Sequence, residues 1–505
     1  LYLEELCHAF LHVSDDRQAD LELAREAWLA KIIEARVERL SNDCAQVLRV
    51  ASVIGYETPL WLLEAAAGKA LDADLLQQSA DSDFLLADAG GGALRFRHGV
   101  ARDVIYSTVA AEERRSLHGT VARQIADRFG PSAENECCEL LSCHFAGSTA
   151  WEDAARFAEM AGKKAEKAST LDRAQAHYRA ALRYLGELED TPETYRRWMN
   201  LCRRYAYACV YDPAKSQLPV FADAVARARA RGDRLQACEA MFWTGYVEYA
   251  LGLSGPAIAH LEAAGAEAAA LDQPELGSQI HASIGQAYAA ASRYDKSLAL
   301  LERTVDIKRR FRKPGKPAVS LGYSLACLAS TLGDLGRFSQ AQECIDEALW
   351  GVAGARHEVE SSVLLWKSGI LLWQGRWEDA RDAAASARAI GERVKSIYLQ
   401  GTGAAQEAFA QCRLGGGDVA VARLAHTTGW LESADKRLFI SLNFGRLADV
   451  MAARGDWAGM RRYAARALAC GRDHDLLGGA MAARALARAA AQGAMRKPPE
   501  HYLAL

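Results

Sequence analysis

The segment Leu325-Ala-Cys-Leu-Ala-Ser-Thr-Leu-Gly-Asp-Leu-Gly-Arg-Phe-Ser-Gln-Ala-Gln-Glu-Cys-Ile-Asp-Glu-Ala348 decides the fold of this chain. A helical pattern is followed by the turn Gly336-Arg337-Phe338. A second helical pattern then carries small or apolar residues at Ala341, Ile345 and Ala348. Because glycine reaches positive φ without steric cost, it suits a tight turn between two helices. The segment therefore predicts a helical hairpin.

The same frame recurs along much of the chain. The first small or apolar position of the second helix falls at Ala257, Ser297, Ala341, Ala380, Ala420 and Met460. By subtraction, these positions are 40, 44, 39, 40 and 40 residues apart. A repeat of this length without strand signals predicts an α-solenoid, in which each hairpin buries its apolar face against the next. A similar frame at Ala174, with room for one degenerate unit before Ala257, brings the prediction to about eight hairpins.

Composition excludes several classes of protein. The formal net charge of −3 over 505 residues gives no general attraction to nucleic acid or to an anionic membrane. No apolar run approaches the roughly 20 residues that a membrane-spanning helix needs. The 12 cysteines are scattered on helical faces, as in reduced cytoplasmic proteins. The chain begins inside a helical pattern without an initiator methionine, so we expect it to be a piece of a longer cytoplasmic polypeptide.

The first 130 residues have a different pattern from the repeats. Residues 1–40 predict helices. A helix-start signal at Ser41-Asn42-Asp43 opens a region of short helices, which is predicted at Thr58–Ala67 and Asp72–Asp81 among others. Strand patterns on both sides of a glycine-rich turn at 88–92 then predict a β-hairpin. We therefore predict a winged-helix domain over 41–130 and a repeat solenoid over 134–495.

Two family resemblances extend this interpretation. The hairpins resemble tetratricopeptide repeats, although that family has a 34-residue period, so the helices here are longer. The run Phe96-Arg-His-Gly-Val-Ala-Arg-Asp-Val-Ile-Tyr106 resembles the end of the winged helix in bacterial signal-transduction ATPases of the STAND group. In that group an ATPase domain is followed by a helical lid, a winged helix and a tetratricopeptide solenoid. The resemblance covers nearly the whole chain and implies an all-α fold with one small β-wing, a right-handed solenoid and a lid end at 1–40.

The same resemblance carries implications about nucleotide. The sequence has no Gly-x4-Gly-Lys-Ser/Thr loop, so we predict no catalytic residues and no cofactor in this chain. ATP or ADP would enter only through an N-terminal ATPase domain, which in one set of relatives is linked to a class III nucleotide cyclase. In relatives, a winged-helix histidine approaches the β-phosphate of ADP, and His98 beside Arg97 is the matching position. The alternative is that both residues simply cap the hairpin.

Three polar clusters have residue types that could form chemical sites. Glu4, His8 and His12 share one predicted helix face, but no fourth ligand is in sight. A second cluster comprises Cys137, Cys138, Cys143 and His144, and it lacks the second cysteine pair of a tetrahedral site. We therefore predict no metal. His118 with Glu112 and Glu113 would suit acid–base chemistry only in a cleft, and a charged helix face is the simpler interpretation.

The first helices of two hairpins offer a better candidate for binding. Because these helices line the concave side of a tetratricopeptide solenoid, we predict a groove formed by Phe242, Tyr246, Tyr249, Leu365, Leu372 and Trp373. Aromatic rings in a groove suit a peptide or a sugar ring. The alternative is that the same side chains pack in the core.

Three functions remain open from the sequence. The first is a non-catalytic regulatory module of a larger nucleotide-switched ATPase, whose solenoid binds a protein, a peptide or a small-molecule inducer. The second is a free-standing scaffold for protein–protein interaction. The third is a winged-helix transcriptional regulator, which the acidic residues diluting the basic patch around Arg95 and Arg97 disfavour. An upstream reading frame without a phosphate-binding loop would exclude the first.

Overall fold

The computed structural model describes residues 29–88, 90–312, 316–353, 357–471 and 476–504. The chain divides into two compact units: residues 1–164 with 179–190, and residues 165–178 with 191–505. Most of the predicted segment 1–40, including Glu4, His8 and His12, lies outside the described residues; its end is helical over 29–38.

The first unit consists of short helices and a small sheet. Its helices are α1 (Asn42–Ile54), α2 (Leu60–Ala67), α3 (Ala73–Asp81), α4 (Gly99–Thr108), α5 (Ala111–Phe129), α6 (Ala133–Glu136) and α7 (Cys138–Gly147). Two longer helices, α8 (Trp151–Lys167) and α9 (Leu171–Gly186), contribute residues to both units. Helix α1 begins where the sequence predicted, because the Ser41 side chain accepts a hydrogen bond from the Cys44 amide and caps it.

The sheet of this unit has three antiparallel strands in the order β1-β3-β2. Strands β2 (Leu85–Ala87) and β3 (Ala93–Phe96) form the predicted hairpin. Strand β1 (Glu57–Pro59) pairs with β3, although the sequence predicted that the helix already begins at Thr58. The difference has a steric cause: Thr58 precedes a proline, which disfavours helical geometry, so the helix begins only after Pro59.

The second unit is a stack of helical hairpins. Its helices are α10 (Pro192–Cys209), α11 (Leu218–Ala230), α12 (Arg234–Ala250), α13 (Ser254–Ala270), α14 (Pro274–Ala290), α15 (Tyr294–Arg310), α16 (Val319–Asp334), α17 (Phe338–Val352), α18 (Val359–Gln374), α19 (Trp377–Val394), α20 (Ile397–Arg413), α21 (Gly417–Ser433), α22 (Ile440–Ala453), α23 (Trp457–Gly471), α24 (Leu477–Ala491) and α25 (Pro499–Leu503). The predicted all-α solenoid is confirmed. The degenerate unit also forms a hairpin, α10 and α11, on either side of the predicted turn at Asp212-Pro213.

Turn chemistry explains where the hairpins fold back. Helix α16 ends in a Schellman motif, in which the Gly336 amide donates to the Gly333 carbonyl and the Arg337 amide to the Leu332 carbonyl. Gly336 has φ 74°, a left-handed conformation that glycine adopts without a steric penalty. The equivalent Gly375 and Gly455 have φ 75° and 74°. The glycine of the repeated frame is therefore a backbone requirement.

Small residues on the first helix of each hairpin allow close helix packing. A Cβ atom added at Gly285 would lie 2.5 Å from Leu301 Cγ, and one at Gly245 would lie 2.7 Å from Leu261 Cγ. At the equivalent position of α18, the buried Ser368 hydroxyl donates to the Ala380 carbonyl at 2.9 Å. The core of each repeat thus forms at a helix crossing that admits only a small side chain.

Within the part of the chain that the structure describes, no helix has the length and apolarity needed to span a bilayer.

Candidate functional site

The first helices of the hairpins line one cavity inside the second unit, termed the inner cavity. Seven helices contribute to its wall: α12, α14, α16, α18, α20, α22 and α24. The segment 210–213, which follows α10, completes the lining. The cavity contains about 1070 Å³ of empty space, including the part that is open to solvent.

Eight aromatic residues contribute to this wall. They are Tyr211, Tyr246, Tyr249, Tyr323, Trp366, Trp373, Tyr398 and Phe439. Several polar ring atoms are already bonded within the wall: Tyr246 Oη donates to the Val210 carbonyl at 2.9 Å, and Trp373 Nε1 donates to Asp334 Oδ1 at 3.1 Å. Burial raises the pKa of the Tyr246, Tyr249 and Tyr398 hydroxyls, so these groups stay neutral. The wall therefore offers neutral ring surfaces to a ligand.

The sequence-predicted groove residues fall into three places. Tyr246, Tyr249, Leu365 and Trp373 line the inner cavity. Phe242 lies in the wall of a neighbouring cavity, with its ring centroid 4.7 Å from that of Trp243. Leu372 is 6% exposed and belongs to the core cluster that extends through α20, α22 and α24. Whether these residues bind a ligand stays a prediction.

Four buried polar residues of the inner cavity were not predicted, and one of them, Gln286, accepts a hydrogen bond from Tyr323 Oη at 3.2 Å. Asn443 and Arg446 on α22 are bonded to each other, since an Arg446 guanidinium nitrogen lies 3.3 Å from Asn443 Oδ1. Gln406 on α20 is 6% exposed, and no described residue donates a hydrogen bond to its Oε1. A buried amide oxygen without a donor costs about 1–3 kcal/mol. A ligand with an N–H or O–H group would remove that cost.

The neighbouring cavity, termed the adjoining cavity, shares part of its wall with the inner cavity. Val210, Tyr211, Tyr246 and Tyr323 line both. The adjoining cavity contains about 1640 Å³ of empty space, again including the part open to solvent. The tyrosines common to both cavities place the two spaces side by side along the inner face of the solenoid.

Contacts between residues 185 to 224 positions apart close the solenoid around the inner cavity. The Ser396 hydroxyl donates to the Tyr211 carbonyl, and the Tyr398 amide donates to Asp212 Oδ1 at 3.1 Å. Lys436 Nζ lies 3.0 Å from Asp212 Oδ1 and donates to the Pro213 carbonyl at 2.6 Å. We term this set the closing contact. It joins the segment after α10 to the start of α20 and to the segment between α21 and α22.

The role of Lys436 in the closing contact can be tested. In Lys436→Met, we expect the Tyr398 amide to exchange with solvent about ten to a hundred times faster, because a buried charged hydrogen bond contributes about 1.5–3 kcal/mol. Hydrogen exchange of the full chain measures this rate. The control is Lys215→Met, which changes an exposed lysine between α10 and α11, two residues after Pro213. Equal protection of the Tyr398 amide in the two variants would show that Lys436 does not stabilise the closing contact.

The candidate nucleotide-sensing residues are in the first unit. Arg97 forms an ion pair with Asp83 at 2.7 Å, and both side chains are about half exposed. His98 is exposed and precedes α4, where its carbonyl accepts hydrogen bonds from the amides of Ala101 and Arg102. The structure thus gives both residues positions at the end of the hairpin, and a contact with nucleotide stays a prediction.

A buried histidine pair in the same unit was not predicted from the sequence. His118 Nδ1 lies 2.9 Å from His144 Nδ1, and His118 Nε2 lies 2.9 Å from Tyr106 Oη. The predicted partners of His118 are elsewhere: Glu112 and Glu113 are exposed. The predicted cysteine cluster is also divided, since His144 is buried and Cys143 is exposed. Packing of α5 against α7 is what brings the two imidazoles together.

Comparisons with known proteins identify no family. No known family model matches the sequence. An uncharacterized protein of Rhizobium meliloti (strain 1021) is 26% identical over 200 residues, which are 38% of this chain and 19% of that protein. The match therefore spans about a fifth of the relative's length.

Among solved structures, similar chains are helical proteins of low sequence identity. A Rap protein complexed with competence and sporulation factor is 12% identical, with a TM-score of 0.46, over 63% of this chain and 98% of that one. A STAND protein with a tetratricopeptide repeat sensor from Pyrococcus horikoshii is 13% identical, with a TM-score of 0.37, over 87% of this chain and 64% of that one. Both TM-scores are below 0.5, so the structural similarity is weak.

Proposed function

We propose that this chain is a non-catalytic sensor module, whose solenoid binds a ligand in the inner cavity. The observation that carries the proposal is the unpartnered Oε1 of buried Gln406 in an aromatic-lined cavity that is partly open to solvent. A cavity of apolar rings with a few placed polar groups is the usual form of a small-molecule or peptide site. Buried amide oxygens without a donor are uncommon in folded proteins, and among those of the described residues (Gln217, Gln374 and Gln406) only that of Gln406 belongs to the wall of the inner cavity.

We further propose that the module belongs to a larger nucleotide-switched signalling ATPase. The support is the resemblance of the run from Phe96 to Tyr106 to the end of a STAND winged helix. In this arrangement ligand binding in the solenoid would shift the nucleotide state of an N-terminal ATPase domain. Such a shift requires that the ligand bind one state more tightly than the other. Comparing ligand affinity in the ADP- and ATP-bound states of the full-length protein tests this coupling.

Thermal shift with defined ligand panels tests binding itself. The panels are neutral oligosaccharides and tetrapeptides of defined sequence, each added to the full chain. We expect at least one class to raise the melting temperature, since a ligand that binds only the folded state stabilises it. We expect Trp373→Ala to weaken that binding about tenfold, because an aromatic contact contributes about 1 kcal/mol beyond the area it buries.

The matched control is Trp350→Ala, which removes an exposed tryptophan of α17 outside the inner cavity. It should leave the ligand shift unchanged. If both variants weaken binding equally, the inner cavity is not the site. If neither panel gives a shift in the wild-type chain, a sensor for these ligand classes is excluded.

A further inference from the structure

One lysine faces the adjoining cavity without an ionic partner among the described residues. Lys308 is near the end of α15, and its Nζ donates to the Ser324 hydroxyl at 2.8 Å and to the Ser320 carbonyl at 3.2 Å. Both acceptors are neutral. Burial lowers the pKa of Lys308 to about 8, which shows how little the surroundings stabilise its charge. A buried ammonium group whose hydrogen-bond acceptors are all neutral lacks the negative charge that would offset the cost of its burial.

The acids of the adjoining cavity are bonded to other groups. Glu166 accepts a hydrogen bond from Tyr178 Oη at 2.5 Å and lies 3.7 Å from an Arg204 nitrogen. Glu358 lies 3.7 Å from His357 Nδ1. Lys308 therefore has no neutralising carboxylate in this wall, and an anionic group on a ligand would provide one.

The composition of the wall limits the kind of anion. A phosphate dianion is usually held by several donors, such as an arginine fork or a helix N-terminus. In the adjoining cavity, Lys308 is the only lysine or arginine among the described lining residues, and Glu166 and Glu358 are close enough to line the same space. With one lysine and two carboxylates in the wall, a ligand group with a single negative charge is favoured over a dianion. A carboxylate is the common organic group of that charge.

The inner cavity restricts the remainder of the ligand. It is next to the adjoining cavity, since Tyr211, Tyr246 and Tyr323 line both. Its rings suit an apolar or aromatic chain, and the Oε1 of Gln406 needs a donor from that chain. An amide N–H would meet this need, whereas a hydrocarbon chain would not.

We propose that the two cavities form one elongated site for a linear amphipathic carboxylate, whose carboxylate pairs with Lys308 and whose apolar part lies in the inner cavity. This rests on the proposed function, because it assigns a ligand class to the cavity used there. The carboxylate could end an acylated amino acid or peptide, or a simple alkyl acid. Both have the carboxylate that would pair with Lys308. Only the acylated amino acid or peptide also has an amide N–H that can donate to Gln406.

Matched probes separate these features. N-octanoyl-L-phenylalanine carries an amide and a carboxylate, and its carboxamide derivative lacks only the charge. Titration calorimetry with the full chain should show about tenfold tighter binding of the acid, since a charge-assisted hydrogen bond is about that much stronger. In Lys308→Met the difference should disappear. Lys296→Met, which changes an exposed lysine of the same helix, should retain it.

A second pair of measurements tests Gln406 and the source of the carboxylate. Gln406→Leu should weaken the binding of both phenylalanine probes by the same factor of about ten, and it should not weaken the binding of decanoate. Decanoate bound as tightly as the acylated amino acid would assign the site to alkyl acids. Circular dichroism confirms that each variant keeps its helices.

The failures of the two proposals can be distinguished. Equal binding of acid and carboxamide by the wild-type chain, or a difference that persists in Lys308→Met, overturns the carboxylate assignment. If those probes still lose affinity in Trp373→Ala, the inner cavity remains a binding site. Absence of binding by all three probes also overturns the elongated site for carboxylates, whereas the oligosaccharide and peptide panels decide the sensor function.

Discussion

Gly478→Ala should destabilise the end of the solenoid by about 3 kcal/mol or more. Gly478 is on α24, where its Cα faces the backbone of Ser441, and an added Cβ would overlap the Ser441 carbonyl group. A backbone group cannot rotate away as a side chain can, so the two helices would have to separate. Overpacking that forces backbone movement costs about 1–3 kcal/mol, and loss of the apolar contacts of α24 adds to it.

The neighbouring residue provides the matched control. A Cβ at Gly479 would lie 3.8 Å from Leu468 Cδ2, an ordinary van der Waals distance. Gly479→Ala should therefore leave packing intact and gain about 0.5–1 kcal/mol of helix propensity. Thermal unfolding followed by circular dichroism, with limited proteolysis near α24, measures both variants. Equal melting curves would show that the crossing of α22 and α24 tolerates a methyl group.

Acidification should weaken the first unit through the histidine pair. Burial, together with the charge of Arg102, lowers the pKa of His118 to about 4 and that of His144 to about 3, from an ordinary 6.5. A histidine whose folded pKa is lowered binds more protons when unfolded. Its contribution to stability is therefore complete above pH 6.5 and is lost as the pH falls towards 4 and then 3.

The hydrogen-bond order explains why protonation breaks the pair. The Ile54 carbonyl accepts from His144, so in neutral His144 the Nδ1 nitrogen is free to accept from His118. Neutral His118 then accepts from Tyr106 Oη. A proton added to His144 places two N–H groups opposite each other. A proton added to His118 removes the acceptor for Tyr106 Oη. Each unit of pKa shift corresponds to about 1.4 kcal/mol, so we expect a loss on the order of 3 kcal/mol.

Hydrogen exchange of α5 and α7 between pH 6.5 and 4.5, corrected for the intrinsic rate, measures this loss. The double variant His118→Gln/His144→Gln keeps polar side chains without titrating, so its protection should change much less over the same interval. His426→Gln, at an exposed position of α21, should behave as the wild-type chain does. A wild-type protection profile that is flat with pH would contradict a buried neutral pair.

Much of the solenoid is predictable because its information is local. The interval between equivalent positions, the glycine at the turn and the small residue at the helix crossing each follow from the geometry of one hairpin. Inner-face positions follow from the same geometry, which is why Tyr246, Tyr249, Leu365 and Trp373 could be assigned to the concave side. The sequence could not show that Leu372 is in the core while its neighbour Trp373 lines the cavity. Adjacent helical residues point about 100° apart, so a small error in the assumed rotation of the helix moves a residue from the groove to the core.

The β-hairpin could also be predicted, because strand patterns on both sides of a glycine-rich turn are a local signal. Strand β1 could not, since three residues beside a proline have no pattern of their own. Its structure depends on pairing with β3, more than 30 residues later in the chain. Short strands are stabilised by pairing with other strands, and the tertiary structure determines which strand pairs with β1.

The sequence by itself determined the repeating hairpin, its approximate length and the helix faces that turn inwards, because those depend on residues close together in the chain. Only the tertiary structure decided that Asp212 meets Lys436, that Gln406 is buried without a donor, and that His118 meets His144. Each of these depends on how small rotations between successive hairpins or helices add up over many residues. Local sequence patterns determine each rotation only approximately, so the summed rotation, and with it the distant contacts, is known only from the tertiary structure.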